Sequence, residues 1–135
     1  MTEIATHVGR GYKLPSGNQL VAIQTPNSSN FQGVVVVKAD DVRTPDAQYS
    51  VDDTAVCRLC GGAKSCKIGE GKATVARGTV LRREALELAM YTLEYAHPIK
   101  NVLIFFPPGP KEDRLTSTLF FQRDDLESTL KHPLR

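Results

Sequence analysis

A chain of 135 residues, 41% hydrophobic and 24% charged, is long enough to bury one core and too ordinary in composition to be disordered or fibrous. Its longest apolar runs, 33–37 and 102–108, are far too short to cross a bilayer as helices. The first residues hold no basic segment leading into an apolar one, so no export signal is expected and the cytoplasm is the default setting.

The net charge of +2 hides an uneven distribution. Residues 57–83 set Arg58, Lys64, Lys67, Lys72, Arg77, Arg82 and Arg83 against Glu70 alone, whereas acidic residues outnumber basic ones on both flanks. All three cysteines fall inside this basic stretch.

Taken in chain order, 1–15 with Gly9, Gly11 and Pro15 reads as a loose lead-in. The β-branched runs near 19–24 and 33–38 are bounded by turn residues and read as strands joined in a hairpin. A weaker third strand ends at Val56, which places the cysteines in a loop just after it. Leu81, Ala85, Leu88, Ala89, Leu93 and Ala96 recur at helical spacing, with Arg83 and Glu87 one turn apart on another face, so a helix is expected over 80–96, stopped by Pro98. Tyr91 and Tyr95 border its apolar stripe with their hydroxyls in water. The continuous apolar run 101–106 reads as a strand buried on both faces, antiparallel to a strand over 115–121 across a proline-rich turn. Asp124 with Glu127 resembles a capping box that opens a short helix before Pro133. The expected fold is α+β: a mainly antiparallel sheet with one long and one short helix packed on it and a cysteine-containing knuckle loop, in a single domain over 1–135.

Cys57 and Cys60 form C-x2-C followed by Gly61 and Gly62, a spacing that lets two thiolates meet one ion while the glycines allow the backbone to curl. The string CRLCGG is similar to the knuckles of zinc-ribbon proteins. That resemblance spans six residues and implies a local turn, without a family function. Cys66 is the third candidate ligand and His97 the first candidate for the fourth, with His7, His132 and Asp53 as alternatives. A structural zinc ion is therefore expected, fixing a basic loop whose Arg58, Lys64, Lys67 and Lys72 face a protein or nucleic-acid partner. The basic neighbours equally favour thiolates without a metal, so a thiol enzyme or redox sensor built on Cys57, Cys60 and Cys66 is the rival reading.

Conventional catalytic signatures are missing from the sequence: there is no G-x-S-x-G and no H-E-x-x-H, and Gly71-Lys72 is followed by Ala73 where a phosphate loop needs a hydroxyl residue. The stretch 57–72 also lacks an aromatic residue for base stacking. A binding or accessory role is expected ahead of catalysis.

Overall fold

The computed structural model describes residues 1–25, 52–60, 66–70, 72–107 and 117–131. Their elements run α1 (Thr2–Gly9), β1 (Ile23–Gln24), β2 (Thr54–Leu59), a 3-10 turn at Lys67–Gly69, α2 (Val75–Tyr95), β3 (Asn101–Phe105), β4 (Thr118–Gln122) and α3 (Arg123–Leu130). The content is mixed α+β, as expected, with a cysteine-containing loop between β2 and α2.

The sheet has the order β1-β2-β3-β4 and is mixed. The outer pairs are antiparallel, but β2 and β3 run parallel from Thr54↔Asn101 to Arg58↔Phe105, joined by the crossover helix α2. The sheet is thus mainly antiparallel, as expected, with one parallel pair, and the reason for that pair lies in burial. Asn101 to Ile104 are all buried, the mark of a strand shielded on both faces and paired on both edges. In β2, by contrast, Ala55, Cys57 and Leu59 are buried and alternate with half-buried Thr54, Val56 and Arg58. The in-register set of Cys57, Ile104 and Leu119 shows which side of the sheet meets the helices.

Helix α2 starts at Val75, five residues before the expected start at 80, because the Thr74 side chain accepts from the Arg77 N–H at 3.2 Å and caps it. Ala85, Leu88, Ala89 and Leu93 form its buried stripe, and Arg83 pairs with Glu87 at 3.0 Å as the spacing predicts. Helix α1 packs on α2 and α3 packs on α2 and β4. Three helices are thus described where two were expected, and the supposed lead-in is a helix whose Val8 joins the core. Its anchors, Ile4 and Val8 at i and i+4, are too few to stand out in the sequence.

The chain from 10 to 22 is a compact turn. The Gln19 amide donates to the carbonyls of Gly9 at 2.9 Å, Tyr12 at 3.3 Å and Val21. Gly17 adopts φ 83°, the left-handed region that glycine enters without penalty. Only Ile23 and Gln24 of the strand expected over 19–24 form a ladder, and their partner is β2. The strand expected over 33–38 lies outside the described residues. At the other end α3 is capped by Gln122 without a side-chain bond, so the anticipated capping box is not formed, and Asp124 and Asp125 sit in the first turn, where the helix dipole favours them. Among the described residues no helix is long and apolar enough to cross a membrane.

Candidate thiol–disulfide site

Strand β2 carries Cys57 inward and delivers Cys60 just beyond its carboxyl end. Cys60 leaves the strand with φ 51°, a left-handed backbone that is uncommon for a residue bearing a Cβ, and its N–H donates to the Ala22 carbonyl at 2.6 Å. Cys66 precedes the 3-10 turn, whose Lys67 and Ile68 N–H groups donate to Gln19 and Leu20 at 3.3 and 2.8 Å. One segment, 19–22, therefore grips both ends of the cysteine loop through its carbonyls.

Cys60 and Cys66 are joined by a disulfide, with Cα atoms 5.6 Å apart. The Cys66 sulfur lies 3.3 Å from the Leu20 carbonyl oxygen. In the reduced form a thiol proton there has an acceptor already in place. The two residues are 8% and 6% exposed, so the bridge is shielded except from small reagents or after local opening.

Cys57 is different in kind. It is fully buried in the sheet–helix core, it is not bonded to another cysteine, and burial pushes its thiol up to about 12. At neutral pH it is a protonated core residue, inert as a nucleophile.

These placements overturn the expected zinc site. Two of its sulfurs are bonded to each other, the third belongs to the core, and among the described residues no group of three or more His, Cys, Asp or Glu side chains can hold a metal ion. His97 is exposed and stands before the start of β3, while Cys60 follows the end of β2. Because these strands are parallel, the two lie at opposite ends of the sheet, separated by a strand length of about 13 Å or more. Asp53 sits at the His97 end, where its carbonyl accepts from the Lys100 and Asn101 N–H groups. His7 meets Tyr91 in a tilted ring contact with centroids 5.0 Å apart, and His132 lies outside the described residues. The C-x2-C spacing misled because it places Cys57 and Cys60 in one turn only if β2 ends at Val56, whereas β2 continues to Leu59.

The basic residues near the bridge are largely occupied. Arg58 is half-buried and engaged with other groups. Lys67 pairs with Glu70 at 3.0 Å. Arg77 donates to the carbonyls of Lys72 at 2.7 Å and Lys67 at 3.4 Å, holding the segment ahead of α2. Lys72 is exposed, and Lys64 lies outside the described residues.

A second cluster escaped the sequence reading. Glu84 is fully buried on α2, and its carboxyl is pushed up to about 8 by burial and then by the charge of Glu87. Tyr12, beside it, has its phenol raised well above the ordinary range by burial first and then by Glu87, although its hydroxyl makes no well-formed hydrogen bond. The signal for Glu84 was available: it lies three residues after Leu81 and four before Leu88, inside the apolar stripe. Comparison with protein-family models, curated proteins and solved structures finds no match to this chain.

Proposed function

We propose that the protein is a thiol-responsive module in which Cys60 and Cys66 form a reversible clasp within the basic stretch 57–83. The observation that carries this reading is the shared anchorage of the two cysteines. Backbone hydrogen bonds from Cys60 and from the residues after Cys66 converge on segment 19–22, which keeps both ends together without requiring the sulfur bond. A pair held in this way can open and close again.

The co-reactant is a low-molecular-weight thiol, matched to the slight exposure of the bridge. Its thiolate attacks one bridge sulfur, forming a mixed disulfide and releasing the other cysteine as a thiolate. A second small thiol attacks the mixed disulfide, leaving two protein thiols and one small-molecule disulfide. Two electrons and two protons pass to the protein. In the cytoplasmic setting expected from the sequence, a disulfide is characteristically transient or redox-sensing, in accord with this cycle. Opening the clasp removes the covalent tie between Cys60 and Cys66 within the basic stretch that runs from Arg58 to Arg83, altering how that stretch meets an acidic protein or nucleic-acid partner.

The test is equilibration in small-thiol redox buffers, with the Cys60–Cys66 state read by alkylation and mass spectrometry. A midpoint within the roughly −220 to −320 mV range of cytosolic thiol pools is expected. A bridge still intact well below that range is a permanent staple, and the proposal fails.

A further inference from the structure

Glu84 is fully enclosed, and neither of its carboxyl oxygens has a hydrogen-bond partner. A carboxylate in such a place loses its hydration without compensation, so the closed arrangement favours the neutral acid. Its charged surroundings sharpen the preference. On its own helix, Glu87 adds negative charge and Arg83, exposed to solvent, is already bonded to Glu87 at 3.0 Å. From the turn after α1 comes Tyr12, only 7% exposed, whose phenol responds to both Glu84 and Glu87. On α1 itself Glu3 is exposed and His7 meets Tyr91 in a tilted ring contact, while Arg10, just past the helix, faces a groove of about 570 Å³ that it shares with Lys13, Gln19 and Ile23. The helix-side residues of β2 and β3 contribute one titratable group, the Cys57 thiol. From α3, Arg123 donates to the Ala96 and Ile99 carbonyls past the far end of α2. None of these supplies Glu84 with a hydrogen-bonded counter-charge.

The element that packs on this part of α2 is short. Helix α1 has eight residues and no side-chain N-cap, too short to persist alone; it packs through Ile4, Val8 and the His7–Tyr91 ring contact, and its end is tied to segment 19–21 by hydrogen bonds to the Gly9 and Tyr12 carbonyls. We propose that residues 1–12, helix α1 and the turn ending at Tyr12, form a proton-controlled cover on α2, seated while Glu84 is neutral and lifted when Glu84 gives its proton to water. Burial places that titration near pH 8, within reach of physiological change. The titrating group is distinct from Cys60 and Cys66, although segment 19–21, which bonds the Gly9 and Tyr12 carbonyls, also anchors the cysteine loop.

Hydrogen exchange on the full chain between pH 6 and 9, corrected for intrinsic rates, tests it. Amides of residues 3–12 should lose at least tenfold protection across that range while β2 and β3 keep theirs. Glu84→Gln should abolish the pH dependence and His7→Gln should leave it intact. Glu87→Gln, which removes the neighbouring charge without touching the buried group, should move the midpoint to lower pH, and it remains informative should Glu84→Gln fail to fold. Constant protection of residues 3–12, loss in step with β2 and β3, or an unchanged transition in Glu84→Gln would each overturn the proposal.

Discussion

The N–H of Cys60 donates to the carbonyl of Ala22 at 2.6 Å, continuing the β1–β2 ladder one residue past Ile23↔Leu59. The cysteine is fixed by its backbone, and the sulfur bond is an addition to that grip. Reduction should therefore leave the fold intact. The bridge spans a sequence separation of six, and closing so short a loop in the unfolded chain is worth about 2 kcal/mol by chain entropy. Denaturant titration with and without reductant should show a loss of about that size in one cooperative transition, and the Cys60→Ser/Cys66→Ser double variant should match the reduced protein.

The left-handed backbone of Cys60 gives a second expectation. Cys60→Ala and Cys60→Gly both abolish the bridge, so the difference between them isolates the backbone. Glycine relieves the Cβ clash, and Cys60→Gly should be more stable by about 1 kcal/mol in urea. Equal stability would mean that the residue leaves this conformation once the sulfur bond is gone.

Accessibility separates the three thiols. In reduced, folded protein, iodoacetamide should modify two cysteines per chain and spare Cys57, whose thiol is buried and held protonated at neutral pH. Cys57→Ser, which buries a hydroxyl in an apolar layer, should cost about 1–3 kcal/mol. Rapid labelling of all three would contradict the placement of β2.

The pH dependence of stability follows from Glu84. Its folded pKa of about 8 lies above the ordinary carboxyl value, so the folded state binds the proton more tightly than the unfolded chain does. Stability is then undiminished below the ordinary carboxyl range, falls as pH rises towards 8, and levels off beyond it. The slope from this one group cannot exceed about 1.4 kcal/mol per pH unit, and opening of α1 limits the total. Glu84→Gln should flatten the profile, as measured by denaturant midpoints from pH 5 to 9.

Helix α2 depends on its cap. Thr74→Ala removes the acceptor of the Arg77 N–H and should cost about 1 kcal/mol. Arg77→Ala leaves that backbone cap in place but frees the Lys67 and Lys72 carbonyls, so proteolysis should increase in the stretch before Val75 with little change in overall stability.

Most of the secondary structure was legible because it rests on local pattern. The stripe of α2, the β3–β4 pair and the Arg83–Glu87 contact all follow from spacing within a few residues. The parallel pairing of β2 with β3 joins residues 47 positions apart at Thr54↔Asn101, and the only trace of it in the sequence was the unbroken apolar run of β3. The cysteine site was misread through a boundary. Extending β2 by three residues beyond Val56 turns Cys57 from a loop ligand into a core residue and leaves Cys60 and Cys66 as a pair. Glu84 was hidden by its chemistry, since a glutamate on a long helix is ordinarily solvated and its neighbours Leu81 and Leu88 drew the attention.

The parallel register also bears on how the protein is made. As the chain leaves the ribosome, Cys57, Cys60 and Cys66 emerge together, and three pairings among them are open. Cys57 gains its β3 neighbour only after Ile104 has been synthesised and α2 has crossed over to align the strands. Completion of that long-range contact withdraws one thiol into the core and leaves a single pair able to join. Oxidation before residue 104 is complete draws on all three thiols. Oxidation afterwards draws on two, the pair that the folded chain joins.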